Sequence, residues 1–104
     1  MRPVPGLLAL LVVVLLLPDV AAADAVAVRG TALANACAAC HGPDGRSQGA
    51  IPALDALSAE DFVAALKAFR TEARKGTVMN RIAKGLDDGD IAAVAAYFAT
   101  LRQR

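Results

Sequence analysis

Two cysteines and the single histidine of this chain stand within five consecutive residues. Cys37 and Cys40 are separated by two alanines, and His41 directly follows the second cysteine. Two thiols three residues apart lie on one helical turn, where they can add to the two vinyl groups of one porphyrin. The imidazole that follows is then carried under the iron as an axial ligand. The Cys-x-x-Cys-His sequence therefore predicts covalent attachment of one haem c.

Three other chemistries use closely spaced cysteines. A thioredoxin-like dithiol needs a βαβ setting, and no strand pattern precedes Cys37. A structural zinc site needs four ligands, whereas the chain has no cysteine or histidine beyond Cys37, Cys40 and His41. A disulfide between the two cysteines stays an alternative, although so tight a loop rarely serves as a structural staple. Haem attachment accounts best for the motif.

The second axial ligand follows by elimination. His41 is the only histidine, so one chain cannot supply two imidazoles. Met79 is the only methionine besides Met1, and it lies well downstream of His41. Ligation by His41 and Met79 would raise the haem potential and leave no open iron position, which favours electron transfer over catalysis. A lone methionine is more often core filling, so a five-coordinate haem stays the alternative.

The N-terminal residues have the pattern of an export signal. Residues 7–17 are uninterruptedly apolar, Arg2 precedes them, and a proline and small residues follow as far as Ala23. As a helix this run is only about 17 Å long, against roughly 30 Å of membrane hydrocarbon. We therefore expect a signal peptide over 1–23, with the alanines at 22 and 25 as other cleavage points, and a periplasmic domain over 24–104. That domain would keep no stable membrane span; an uncleaved anchor is the alternative.

Composition limits the size and class of the protein. The chain has 104 residues, and its 11 basic and 10 acidic residues give a formal net charge of +1. This balance argues against a nucleic-acid partner, which would require a basic stripe. Without the signal peptide about 80 residues remain, a size at which an apolar core alone is marginal. Because aromatic residues are few and alanine buries little area, we expect a cofactor to fill the centre.

The spacing of apolar residues predicts an all-α domain. No segment alternates with a period of two, as a half-buried strand would. The first helix is expected over 24–36, with Asp24 as its cap and Gly30 inside it. Three glycines and two prolines over 42–52 predict a loop.

Two further helices carry sequence signals at their N-termini. Ser58 and Asp87 are expected caps, each with an aspartate three residues later. Between these helices, the segment 77–85 carries Met79 and has room for about one helical turn. The apolar residues expected to face the core are Val28, Leu33, Cys37, Phe62, Leu66, Phe69, Ile91, Val94, Ala95, Phe98 and Leu101.

Taken together, these residues resemble class I cytochromes c of the small bacterial c553- and c4-like group. The sequence is similar in particular to the monohaem cytochrome subunits of flavocytochrome c sulfide dehydrogenases. The matching segments are GTALANACAACHGPDGRS, IPAL, FVAALKAFR, TVMNRIAKGL and DIAAVAAYFATLR. The resemblance implies a small cytochrome c fold, with helices wrapped around one covalent haem c, and electron transfer rather than enzyme activity. The implied partner is an FAD-containing sulfide dehydrogenase subunit, with a freely diffusing c553-type carrier as the alternative.

The resemblance also assigns roles to individual residues. It implies thioether bonds at Cys37 and Cys40 and axial ligation by His41 and Met79. Pro52 matches the family proline whose carbonyl accepts a hydrogen bond from the axial histidine, which fixes the orientation and basicity of the ring.

Two more positions match the family. Gly30 matches the glycine at which the first and last helices cross, against Tyr97 or Phe98. Arg74 stands where relatives often carry an arginine near the haem propionates. It fits equally well as a solvated charge at the C-terminal end of a helix.

The chain departs from the family pattern in two places. Relatives commonly have Gly-Gln after the Pro-x-Leu segment, where this chain has Asp55-Ala56-Leu57. Relatives often have a glycine two residues before the arginine, where this chain has Glu72. Neither departure touches the expected haem-binding residues.

Overall fold

A computed structural model describes residues 20–103, and this range contains four α-helices and no strand. They are α1 (Val20–His41), α2 (Ala59–Arg70), α3 (Met79–Lys84) and α4 (Asp88–Arg102), with a short 3-10 turn at Pro43–Gly45. The all-α prediction is confirmed. The apolar run of the expected signal peptide lies outside the described residues. Within residues 20–103, no helix is long and apolar enough to cross a membrane.

Helix α1 is longer than the sequence signals indicate. It is helical from Val20 and includes His41, so Asp24 lies inside the helix and its prediction as a cap is wrong. Residues 20–29 are all exposed, and Val28 is 69% exposed instead of forming part of a buried edge. Five of these residues are alanine, the strongest helix former, which favours the helix in this exposed segment.

The predicted caps of α2 and α4 are confirmed. The Ser58 hydroxyl accepts a hydrogen bond from the Asp61 N–H at 3.0 Å. Asp87 accepts from the Asp90 N–H at 2.7 Å, and Asp90 in turn accepts from the Asp87 N–H at 3.2 Å. Each cap satisfies backbone donors that the first helical turn leaves unpaired.

Helices α1 and α4 cross at Gly30. A Cβ atom at this position would lie 2.5 Å from the Ala93 carbonyl oxygen and 3.6 Å from the Tyr97 Cβ. The expected role of the glycine is therefore confirmed, because no larger residue fits this approach. Next to the crossing, Arg29 Nε donates to Asp90 Oδ1 at 2.6 Å. The Asp90 side chain is only 8% exposed, and this member of the α4 capping box is also the ion-pair partner of Arg29 on α1.

The core lies between α1, α2 and α4 and is built around Phe98. Its ring stacks on Phe62 with centroids 5.3 Å apart, and Tyr97 meets it edge-on at 5.5 Å. Phe69 and Leu101, predicted as core residues, are half-buried. The buried apolar cluster consists of Ala34, Phe62, Leu66, Ile91, Val94, Ala95 and Phe98. This cluster is small, as expected for a chain with few aromatic residues.

Candidate functional site

The last turn of α1 presents the two cysteines and the histidine. Cys37 is half-buried against the core cluster, Cys40 is exposed, and both are free thiols. Burial raises the pKa of the Cys37 thiol, opposed by a backbone hydrogen bond and assisted by the nearby Cys40. The two sulfur atoms therefore lie on one helical turn, and both are free to form thioether bonds. The structure does not form the disulfide that the sequence left open.

His41 is held by the loop that follows α1. Its Nδ1 lies 2.5 Å from the carbonyl oxygen of Pro52. Because a carbonyl oxygen can only accept, Nδ1 carries the proton in this hydrogen bond. In the neutral ring the other nitrogen, Nε2, then presents its lone pair, which is the form of imidazole that ligates a metal.

A tight turn brings Pro52 back to His41. Gly42 and Gly45 have φ values of 86° and 71°, in the region that favours glycine. A Cβ at buried Gly45 would lie 2.9 Å from both the Leu54 Cβ and the Phe98 ring. The Leu54 N–H donates to the Gly45 carbonyl at 2.7 Å. The loop that holds His41 is thereby fixed to the centre of the core.

A wide cavity opens beside Cys40. Its volume is about 790 Å³, within the range of small-molecule sites. One wall is formed by Ala38, Ala39 and Cys40 on α1, and the other by the loop residues 46–51. The exposed thiol therefore borders space that a large ligand can occupy.

Met79 is the first residue of α3. It is half-buried and packs against the same apolar cluster as Cys37. Two free thiols, an imidazole with its Nε2 lone pair available and a thioether make up the donor set of this chain. Such a set fits a haem c held by two thioether bonds and two axial ligands.

A zinc site does not fit these residues. Within residues 20–103, no three His, Cys, Asp or Glu side chains are grouped so that they could hold a metal ion. Zinc in proteins takes ligands arranged as a tetrahedron.

Arg74 lies in the exposed loop before Met79. Its guanidinium carbon is 4.7 Å from the centre of the Phe69 ring, a cation–π arrangement. Its backbone N–H donates to the Ala68 carbonyl at 3.1 Å. Arg74 therefore packs on the C-terminal end of α2.

Sequence reasoning missed the contributions of Glu72 and Asn80 to this loop. Glu72 has a φ of 64°, so the position occupied by glycine in relatives does require a left-handed backbone here. Its carboxylate pairs with Lys84 at 3.0 Å and lies 3.8 Å from Lys75. The sequence signals that could have indicated this role of Glu72 were the two lysines and the absence of the family glycine at position 72. No signal indicated Asn80, whose side chain makes three hydrogen bonds to the backbone of residues 69–76.

The fold and the site together define a class of protein. An all-α domain that presents two thiols and a pre-oriented imidazole on one helical turn is a small covalent haem protein. The cytochrome c family model matches residues 27–102, and the chain belongs to the cytochrome c family. Members of this family carry covalently bound haem c and transfer electrons.

Three curated proteins illustrate the similarity. The cytochrome subunit of sulfide dehydrogenase from Chlorobaculum tepidum is 41% identical over 76 residues, covering 73% of this chain and 69% of that protein. Cytochrome c-553 from Helicobacter pylori is 38% identical over 73 residues, covering 68% of this chain and 76% of that protein. The thiosulfate dehydrogenase electron acceptor from Stutzerimonas stutzeri is 42% identical over 72 residues, covering 65% of this chain and 33% of that protein.

Proposed function

We propose that this chain is an exported monohaem cytochrome c in which Cys37 and Cys40 form the thioether bonds and His41 and Met79 are the axial ligands. The observation that carries the proposal is the hydrogen bond from His41 Nδ1 to the Pro52 carbonyl. It leaves Nε2 free to ligate, on the same helical turn as two free thiols. Met79 is the remaining soft donor of the domain.

Each residue of this set has a separate task. The haem supplies a one-electron couple at its iron. The two cysteines anchor it to α1, and Pro52 keeps the His41 ring in one orientation and raises its basicity. Met79 would close the second axial position, which excludes external ligands and favours outer-sphere electron transfer. Arg74 is proposed to neutralise charge near the propionates.

Purified mature protein tests the attachment. Its denatured polypeptide should keep one haem through acid-acetone extraction and show the corresponding added mass. Its two cysteines should not react with an alkylating reagent. The variant Cys40→Ala provides the comparison, because it leaves one thioether position. An apo mass, or two thiols that alkylate freely, would contradict the assignment.

We propose that the electron donor is an FAD-containing subunit that oxidises sulfide. The support is the 41% identity with a cytochrome subunit of sulfide dehydrogenase. Capture of the tagged mature protein from its native periplasm should recover a stoichiometric flavoprotein that is reduced by sulfide. Recovery of the cytochrome alone would favour the second candidate, a diffusing carrier, which the 38% identity with a cytochrome c-553 supports.

Export to the periplasm is part of the same proposal. The short apolar run after Arg2 and the alanines around Ala23 support a cleaved signal peptide. N-terminal sequencing of the exported protein should begin at Asp24, or within two residues of it. Retention of residues 1–19 on the purified holo-protein would instead indicate an uncleaved anchor.

A further inference from the structure

The side chain of Asn80 makes three hydrogen bonds to the backbone. Its Nδ2 donates to the carbonyl oxygens of Phe69 at 2.9 Å and Arg74 at 2.8 Å. Its Oδ1 accepts from the Gly76 N–H at 2.9 Å. Both amide protons and the amide oxygen are therefore engaged. All three partners are backbone groups of the segment 69–76.

The other contacts of this segment lie at the surface, among them the Glu72–Lys84 ion pair at 3.0 Å and the Arg74 guanidinium over the Phe69 ring. Residues 71–78 are exposed without interruption, so the loop between α2 and α3 buries no side chain. Glu72 adds a left-handed backbone conformation, which costs energy for a residue with a side chain. Segments with few buried contacts open at low free energy. The Asn80 amide joins this loop to the half-buried start of α3, whereas the Glu72–Lys84 ion pair joins it to the exposed end of that helix.

Helix α3 depends on the loop in turn. It is only six residues long, and its N-cap, Val78, contributes no side-chain hydrogen bond. So short a helix is not stable on its own. Met79 is its first residue and the chain neighbour of Asn80. Gly76 packs between Phe69 and Met79, since a Cβ at this position would lie 3.0 Å from the Phe69 ring and 3.4 Å from the Met79 Cβ.

We propose that Asn80 is the positioning residue for Met79: by fastening the segment 69–76 to the start of α3, its amide holds the thioether where it ligates the haem iron. The inference rests on the proposed function, because it takes Met79 as the axial ligand. Asn80 itself does not touch the iron in this scheme. Without its amide, the loop and the first turn of α3 would move together, and Met79 would leave the iron before the fold is lost.

The test compares the ferric holo-proteins of the wild type, Asn80→Ala, Asn80→Asp and Asn35→Ala. Asn35 is an exposed amide on α1 and serves as the matched control. The first measurement is the absorption band of thioether-to-iron ligation, followed with temperature beside the helical circular dichroism. The second is the affinity for added imidazole, which binds when Met79 leaves.

In Asn80→Ala the band should disappear at a lower temperature while the helical signal persists. Imidazole should bind about tenfold more tightly, the effect expected when hydrogen bonds worth about 1.4 kcal/mol no longer oppose opening. Asn80→Asp keeps the acceptor for Gly76 but places a carboxylate oxygen against the carbonyl oxygens of Phe69 and Arg74, so it should lose the band at least as early as Asn80→Ala. Asn35→Ala should match the wild type.

Three results would overturn the inference. Unchanged band stability and imidazole affinity in both Asn80 variants would remove the positioning role while leaving Met79 as the ligand. Equal losses of the band and the helical signal would show that Asn80 supports the whole fold and does not act on Met79 in particular. A wild-type protein without the band would overturn the ligation itself, and the role of Asn80 with it. Because Asn80→Asp changes only one heavy atom, it provides the comparison if Asn80→Ala does not accumulate.

Discussion

His41 shows how one hydrogen bond prepares a side chain for its chemistry. The Pro52 carbonyl can only accept, so it selects the tautomer that carries its proton on Nδ1. Pro52 has no backbone N–H of its own, and its fixed φ helps to keep the loop in one conformation. The ring nitrogen required for ligation is therefore available before any metal is bound.

Replacement of Met79 should change the ligation of the haem iron. Met79→Ala should keep the covalent haem but lose the thioether-to-iron band and give a high-spin or water-ligated ferric iron. The reduction potential should fall, because thioether ligation favours the ferrous state. Absorption spectra and redox titration measure both changes. Ile82→Ala, an exposed apolar residue on the same short helix, is the control and should keep the band. A full-strength band in Met79→Ala would assign the sixth position to another group.

At the scale of the helices, the sequence could predict most of the architecture. The caps Ser58 and Asp87 and the buried face of α4 follow from local patterns, and the glycine of the helix crossing follows from the family resemblance. The start of α1 does not, because a run of alanine gives high helix propensity without marking a boundary. The sequence also could not predict that Asp90 belongs to the capping box of α4 and pairs with Arg29 at the same time. Its partner Arg29 is 61 residues away in the chain, and only the helix crossing brings the two together.

The crossing itself can be tested with Gly30→Ala. The added methyl group would lie 2.5 Å from a backbone carbonyl oxygen, so α1 and α4 must move apart. Overpacking of this kind costs roughly 1–3 kcal/mol, more than the gain of about 1 kcal/mol from the better helix former. Denaturant unfolding should therefore show a destabilised protein. Gly49→Ala is the matched control, because nothing lies within 4 Å of its added Cβ. Equal stability of the two variants would contradict a tight crossing.

The ion pair beside the crossing predicts a dependence on pH. The hydrogen bond from Arg29, and then the backbone N–H of Asp87, lower the pKa of Asp90 below its ordinary value of about 4. Folding therefore favours the ionised carboxylate, and its contribution is present above that ordinary value. It is lost as the pH falls through the lower pKa of the folded state. The contribution of Asp90 to stability should disappear in acid, below about pH 4.

Asp90→Asn tests this contribution. The variant should be less stable than the wild type near neutral pH, and the difference should shrink as the pH falls below about 4. Unfolding midpoints measured from pH 2 to 7 provide the comparison. Asp24→Asn, an exposed carboxylate on α1, is the control and should follow the wild type. A stability difference that stays constant down to the lowest pH would show that the carboxylate charge is not the cause.

For the whole molecule, the distribution of charge bears on how it meets a partner. The formal net charge is only +1. Near Met79, Lys75 and Lys84 lie beside the Glu72 carboxylate, which offsets part of the positive charge that these lysines, Arg74 and Arg81 give this region. Exposed apolar side chains occupy the same region, with Val78 56% and Ile82 44% exposed. Such a surface suits close apolar contact better than long-range electrostatic steering.

We expect a fixed partner to dock where two segments would border the haem edge, the attachment turn with Ala38 and Ala39 and the Met79 segment with Val78, Met79 and Ile82, because both segments would contact the haem. Val78→Lys or Ala39→Lys should slow electron transfer with the flavoprotein roughly tenfold, because a charge would have to be desolvated at the contact. The haem spectrum should not change. Val26→Lys is the control, since Val26 is 55% exposed on α1 and is not one of these five residues.

Salt dependence separates a fixed subunit from a diffusing carrier. Electrostatically steered association falls steeply as ionic strength shortens the screening length, whereas an apolar contact between permanent subunits does not depend on steering. For this chain, stopped-flow rates with the flavoprotein should change little between low and physiological salt. The same measurement on Val78→Lys should give a slower rate that is again nearly independent of salt. A steep fall for the wild type would contradict the subunit proposal and would favour the c553-type carrier.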